Sequence, residues 1–116
     1  MKQHIAKLII LLASLTAFEA QAAEVLPGQY EISALLPGPA GIHIQLSPNP
    51  VQCSGNWWGT QAVIKTGETN YNTLSANIVA AFAANKKISA VHYNTAGNGT
   101  CSSSNELTVI AFKVSQ

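Results

Sequence analysis

Residues 70–93, NYNTLSANIVAAFAANKKISAVHY, indicate the fold, because they contain the one convincing helix of the chain and the turn into the next strand. Apolar residues recur there at steps of three and four positions, which predicts a helix over residues 70–84 with a single apolar stripe. The stripe consists of Tyr71, Leu74, Ile78 and Phe82. Thr69 or Asn70 is expected to cap the first turn, and Asn85 to take the left-handed position at the end.

Alternating apolar and polar residues on both sides of this helix predict five strands. They are expected at residues 29–36, 42–46, 58–65, 87–93 and 106–114. The last strand is apolar on both faces, which favours a central strand or one that closes a barrel. The order strand, strand, strand, helix, strand, strand is that of the five-stranded OB-fold barrel. We therefore expect a mainly β, OB-fold-like barrel with one helix, although other α+β arrangements share this order.

The N-terminal 22 residues have the three parts of a secretory signal peptide. Lys2 and Lys7 precede an apolar stretch at 8–17, and Ala20-Gln21-Ala22 forms a small-x-small cleavage site. We expect export to the periplasm or beyond, with a single domain at 23–116 and no membrane span after cleavage. The alternative is a retained membrane anchor, but the apolar stretch is too short to cross a bilayer of roughly 30 Å as a helix.

Both cysteines, Cys53 and Cys101, lie in the predicted mature domain. In an exported chain they most simply form one disulfide bond, and the alternatives are two free thiols or an intermolecular bond. Neither cysteine has a second Cys or a His at ligand spacing, so we expect no metal and no other cofactor.

The charge balance excludes two classes of partner. Residues 23–116 contain four Lys and four Glu, and the chain has neither Arg nor Asp. Without a basic excess there is no electrostatic footprint for nucleic acid and no polybasic patch for anionic lipid. A net charge near zero is compatible with self-association.

The residues offer little catalytic chemistry, so we expect a protein without enzymatic activity. His43 and His92 lie within predicted strands, where a structural histidine is the commoner outcome. Ser102-Ser103-Ser104 has no nucleophile-elbow pattern. A small hydrolase would need a converging His, Glu and Ser cluster, which the sequence alone does not indicate.

Binding residues are easier to find. Trp57 and Trp58 lie between Gly and Asn residues directly after Cys53, and alternation predicts that one enters the core while the other is free to stack on a sugar ring. The alternative is that both pack against the disulfide and the helix. Further hydrogen-bonding candidates are Glu31, Ser33, Tyr93 and Asn94.

The predicted export, disulfide and order of elements resemble those of the binding subunits of bacterial A–B toxins, and most of all the subtilase cytotoxin B subunit and its pertussis-like relatives. The residues that carry the resemblance are Tyr71 to Asn77, which open the helix, and Asn85 to Tyr93, which turn into the fourth strand. It implies a homopentameric ring of exported, disulfide-bonded subunits, a cell-surface glycan as ligand and a catalytic A subunit as partner.

The same resemblance implies that Tyr93 contacts the sugar and that Glu31 and Ser33 lie near the polar first-strand segment. The lack of Asp and Arg and the single possible disulfide depart from the family pattern. We therefore expect an exported glycan-binding module that forms a homo-oligomer. The alternative is a small periplasmic domain that binds or inhibits another protein.

Overall fold

The computed structural model describes residues 23–95 and 101–116. The predicted signal peptide at 1–22 lies outside the described residues. The elements, in chain order, are β1 (Ala23–Gly38), β2 (Gly41–Ser47), β3 (Ala62–Lys65), α1 (Tyr71–Ala83), β4 (Lys87–Asn94) and β5 (Leu107–Ser115). The predicted mainly β composition with one helix between the third and fourth strands is confirmed. Within the described ranges, no helix has the length and apolar character needed to cross a membrane.

The five strands close into a ring in the order β1-β2-β3-β5-β4, and β4 returns to pair with β1. All neighbours are antiparallel except β3 and β5, which run parallel over a short contact. β1 is long enough to serve two partners, because its first half pairs with β4 and its second half with β2. It is longer than the predicted strand at 29–36, and a register shift around Ser33 separates the pairs Ile32–Leu46 and Ala34–Gln45.

The core fills the inside of this ring. Its largest fully buried apolar side chains are Leu26, Ile44, Ile64, Ile78, Ile88 and Leu107. They come from all five strands and from α1, which packs against the ring with Tyr71 and Leu74 partly buried at the margin. Alternation along β2 places Ile42, Ile44 and Leu46 inside, as the sequence predicts.

Helix α1 follows the prediction in position but not in every contact. Its buried residues are Ile78 and Ala81, whereas Phe82 is exposed, so the predicted stripe is wrong at its last member. Asn70 occupies the N-cap without a side-chain capping hydrogen bond. The C-terminal end is as expected: Asn85 has a φ of 55°, and the amide of Lys86 donates to the carbonyl of Ala81 at 2.9 Å.

Two irregular segments form an outer layer over β2. They are residues 53–60 and residues 101–106, and a disulfide between Cys53 and Cys101 joins them, with a Cα–Cα distance of 5.7 Å. This confirms the expected pairing. The predicted third strand at 58–65 is wrong at its start, because regular pairing begins only at Ala62. Residues 58–60 instead belong to the outer layer.

Candidate functional site

His43 is buried on the outer face of β2, opposite the face that lines the core. Its neighbours Ile42 and Ile44 point inside, so alternation sends the imidazole outward. It is buried there because the outer layer covers it. Nδ1 of His43 lies 2.8 and 2.9 Å from the two carboxylate oxygens of Glu106. The pair forms an ion pair when the imidazole is protonated.

Glu106 has no exposed surface, and its carboxylate is fully hydrogen-bonded. Thr60 donates its hydroxyl to Oε2 at 2.8 Å, and Ser104 donates its hydroxyl to Oε1 at 2.7 Å. A buried carboxylate is tolerated only when donors replace its lost hydration. Here the donors come from β2 and from both segments of the outer layer, so this cluster fixes the layer to the ring.

A chain of hydroxyl groups completes the cluster on the side of residues 101–106. The backbone amide of Glu106 donates to Oγ of Ser102 at 3.2 Å, and the two serine hydroxyls lie 3.0 Å apart. Because Ser104 donates its single proton to Glu106, Ser102 must donate to Ser104. The hydrogen bonds therefore run in one direction around the segment and end on the carboxylate.

An aromatic stack rises from this cluster to the surface. The ring of Trp58 meets the ring of His43 edge-on, with centroids 5.6 Å apart. Trp57 meets Trp58 in the same manner at 5.0 Å, and Trp57 itself is 89% exposed. Both tryptophans are on the surface, so the expectation that one of them enters the core is wrong. The turn between residues 56 and 60 bends the chain, and this removes the alternation on which the expectation relied.

Polar groups of β1 and β2 continue the surface beside the two tryptophans. An ideal Cβ on Gly59 would lie 3.1 Å from the side-chain nitrogen of Gln45, so the Gln45 amide lies against the turn that holds Trp58. Ser33 donates its hydroxyl to the backbone carbonyl of Gln45 at 3.2 Å. We call Trp57, Trp58, Gln45, Ser33 and Leu36 the tryptophan surface. Leu36 belongs to it because it is exposed and pairs directly with His43.

Glu31 lies further along the same strand, at a polar cleft. The cleft has a volume of about 390 Å³ and is lined by Gln29, Glu31, Ser47, Pro48 and Lys87. Glu31 pairs with Ser47 on one side and with Lys87 on the other, at the point where β1 changes partner. Thus Glu31, Ser33 and Trp57, three of the predicted binding residues, lie along one side of the ring.

Tyr93 is placed differently. Its ring is only 3% exposed and belongs to the core, and its hydroxyl donates to Glu24 at 2.9 Å. Burial of the ring, together with the hydrogen bond to Glu24 and the negative charge of Glu24, raises the pKa of Tyr93 above the usual value of 10.0. The ring therefore has no free face for stacking.

Tyr93 and Asn94 are also remote from the other predicted binding residues. In the ladder between β1 and β4, Tyr93 pairs with Glu24 and Asn94 with Ala23, whereas Glu31 pairs with Lys87. Lys87 and Tyr93 are six positions apart along β4, which corresponds to a distance of up to roughly 20 Å in an extended strand. The structure does not bring the two groups of predicted residues together.

Three residues of the site are not predictable from the sequence pattern: Glu106, Thr60 and Gln45. The pattern places Glu106 at the start of the last strand, and nothing there indicates that its partner is a histidine 63 positions earlier. One signal was available, since a lone Glu before an apolar strand and after a serine run has no local basic partner.

The cluster contains His, Glu and Ser, which are the residue types that a small hydrolase would need. Its geometry differs from that of a nucleophile and base pair, however, because Ser104 and Thr60 donate to the carboxylate and not to the imidazole. Among residues 23–95 and 101–116, no hydroxyl is hydrogen-bonded to His43.

Comparisons with family models, with curated proteins and with solved structures find no match to this chain. Within the described part of the chain, no group of three or more His, Cys, Asp or Glu side chains is placed to hold a metal ion.

Proposed function

We propose that this chain is an exported, non-enzymatic, OB-fold-like module that binds glycans through the tryptophan surface. The strand order β1-β2-β3-β5-β4, the parallel contact between β3 and β5 and the helix between β3 and β4 support an OB-fold barrel. The disulfide between Cys53 and Cys101 is compatible with an oxidising compartment outside the cytoplasm.

The observation that carries the proposal is the exposed indole of Trp57. Exposing a large apolar ring to water costs free energy, yet the Trp57 indole is almost fully exposed and contacts the Trp58 indole edge-on. Trp58 in turn rests on His43, whose orientation Glu106 fixes. The indole is thus a preorganised platform, and the C–H face of a pyranose ring is the kind of surface that stacks on such a platform.

The groups around Trp57 suit a sugar better than a charged ligand. Gln45 and Ser33 supply an amide and a hydroxyl, and the cleft at Glu31 has one Glu and one Lys, whose charges balance. Neutral hydrogen-bonding groups beside an aromatic ring match a ligand that carries many hydroxyl groups and little net charge.

A glycan array tests this proposal with three proteins: the wild type, Trp57→Ala and Val51→Ala. Val51 is an equally exposed apolar residue of the neighbouring turn, so its removal controls for loss of surface hydrophobicity. We expect a signal from the wild type and from Val51→Ala, and loss of the signal from Trp57→Ala. No signal from the wild type, or an unchanged signal from Trp57→Ala, would count against glycan recognition here.

We also propose that the chain self-associates through α1 and β5. Val79 and Phe82 are exposed on α1, and Val114 is exposed on β5. Between the two elements lie shallow grooves of about 350 and 260 Å³ that share Asn77 and Val114. An apolar helix face of this kind is typical of an interface between subunits.

The resemblance to toxin binding subunits makes a pentamer the expected assembly and a catalytic subunit the expected further partner. Native mass spectrometry of the oxidised protein tests the assembly. We expect five times the protomer mass, and a smaller mass for Phe82→Ser. A monomeric wild type would contradict the proposed pentamer and favour the alternative, a small periplasmic domain that binds another protein.

A further inference from the structure

The imidazole of His43 has one nitrogen that the cluster does not use. Nδ1 is held by Glu106, but Nε2 has no hydrogen-bond partner among the described residues. The side chain keeps 11% of its surface exposed, and Nε2 is not among the buried polar atoms that lack a partner. Part of the surface of Nε2 is therefore accessible to solvent, although most of the side chain is buried.

Glu106 fixes the direction in which this nitrogen points. The carboxylate contacts Nδ1 with both oxygens, and it is itself held by Thr60 and Ser104. Trp58 packs against the ring edge-on. Binding of a ligand to a nitrogen held in this way costs little side-chain conformational entropy, because that entropy was already lost on folding.

Gly38 borders the Nε2–Cδ2 edge of the His43 ring and places no side chain there. An ideal Cβ on Gly38 would lie 3.8 Å from both Nε2 and Cδ2 of His43, at ordinary contact distance. Gly38 does not have a positive φ that would itself demand glycine. A side chain there would fit the backbone and would pack against Nε2 and Cδ2 of His43. Leu36, exposed and paired with His43, forms the neighbouring part of the rim.

We propose that Nε2 of His43 is a ligand-contacting atom of the tryptophan surface and receives a hydroxyl group of the bound sugar at the ring edge that Gly38 borders. This inference rests on the proposed glycan binding and adds a specific contact to it. With Nδ1 protonated toward Glu106, neutral His43 accepts at Nε2 and charged His43 donates there. A hydroxyl group is both donor and acceptor, so it matches either state.

The first test follows the imidazole nitrogens of the oxidised protein by long-range ¹H–¹⁵N NMR during titration with methyl glycosides of glucose, galactose and N-acetylglucosamine. His92 is the internal control, because its Nδ1 lies 2.8 Å from the carbonyl of Ala90 and it belongs to β4. We expect the Nε2 signal of His43 to shift with at least one glycoside, while the signals of His92 stay constant.

Two variants remove the contact in different ways. His43→Asn keeps a side-chain N–H near the position of Nδ1 for Glu106 and deletes Nε2. Gly38→Ala keeps the imidazole and places a methyl group in contact with its Nε2–Cδ2 edge. We expect each to weaken binding of the responsive glycoside about tenfold, the value of one hydrogen bond in a desolvated site. Gly67→Ala is the matched control, since a Cβ there meets nothing within 4 Å, and it should bind as the wild type does.

A measurement without sugar separates this inference from the proposed function. Diethyl pyrocarbonate modifies free imidazole nitrogens, and peptide mass mapping gives the rate at His43 and at His92. We expect Gly38→Ala, but not Gly67→Ala, to slow modification of His43 several-fold. Equal rates would overturn access to Nε2 past Gly38. If glycosides bind and Trp57 is needed but the His43 signal does not move, the contact is overturned and the glycan module stands. If no glycoside binds, both the proposed glycan binding and the proposed contact at Nε2 of His43 are contradicted.

Discussion

Glu106 and His43 are 63 positions apart in the chain, yet Nδ1 of His43 lies 2.8 Å from a carboxylate that has no exposed surface. The pair joins β2 to the segment that precedes β5. Thr60 adds the other outer segment to the same carboxylate. The buried carboxylate of Glu106 thus orients His43, which contacts Trp58, and Trp58 contacts Trp57. The orientation of Trp57 therefore depends on a residue that it does not contact.

Glu106→Gln is expected to destabilise the fold by about 2–4 kcal/mol, because it removes the charge that three donors are arranged to meet and forces an amide N–H against one of them. The measurement is urea denaturation at pH 7 with the disulfide intact. Glu31→Gln is the control, as Glu31 is exposed and its loss should change the unfolding free energy by less than about 0.5 kcal/mol. Equal stabilities of the two variants would show that the cluster has no structural role.

The regular elements were predictable because their signals are local. The apolar repeat placed α1 within a residue at each end, and Asn85 was identified as its left-handed end from residue type alone. The alternating residues of β2, β4 and β5 gave those strands to within one or two positions. Phe82 is exposed because the buried face of α1 is centred between Ile78 and Ala81, and Phe82 lies about 100° around the helix from Ala81.

The site was only partly predictable, for a physical reason. Trp57 was identified by its flanking Gly and Asn residues, which are typical of a turn. The cluster around Glu106 depends on contacts between residues 43, 60 and 106, and no periodicity relates such distant positions. Alternation also fails in the turn at 56–60, so the exposure of Trp58 could not be read from its neighbours.

The two adjacent tryptophans are expected to differ in their effect on stability. Trp57→Ala should change the free energy of unfolding by less than about 0.5 kcal/mol, because little of that ring is buried. Trp58 is only 39% exposed and contacts both His43 and Trp57, so Trp58→Ala should cost about 1–3 kcal/mol. Thermal and urea unfolding of both variants checks this, and the reverse order would contradict the stack.

Tyr93 predicts how the fold responds to alkaline pH. Its pKa is raised in the folded state by burial of the ring and by Glu24. The neutral phenol is therefore the stabilised form, and its contribution is fully present below the unfolded pKa of about 10. It is lost as the pH rises from there through the folded pKa, because the unfolded chain releases its proton first.

Unfolding free energies between pH 8 and pH 11 check this dependence. Tyr93→Phe lacks the ionising group, so we expect its stability to fall less steeply than that of the wild type above pH 10. Tyr30→Phe, which removes a hydroxyl bonded to the carbonyl of Pro27 at 3.1 Å, is the control for loss of a buried tyrosine hydroxyl. Identical slopes for Tyr93→Phe and the wild type would show that the pKa of Tyr93 is not raised in the folded protein.

Gly38 and Gly41 pair with each other at the end of the hairpin between β1 and β2, but only Gly41 is expected to be sensitive to substitution by alanine. Gly41 has a φ of 147°, and a Cβ there would lie 2.0 Å from the backbone carbonyl oxygen of Ile64. Gly41→Ala must displace β3, so we expect a loss of about 2–5 kcal/mol from backbone strain and overpacking.

Gly38→Ala, in contrast, brings its Cβ only to contact distance from His43 and should leave the unfolding free energy within about 0.5 kcal/mol of the wild type. Urea denaturation of both variants measures the difference. This pair of results bears on the proposed contact at Nε2, because a stable Gly38→Ala protein would make a loss of sugar binding a local effect at His43. If Gly38→Ala instead unfolds as readily as Gly41→Ala, the hairpin has no room for a side chain at residue 38, and the contact at Nε2 is tested by the NMR titration and by His43→Asn.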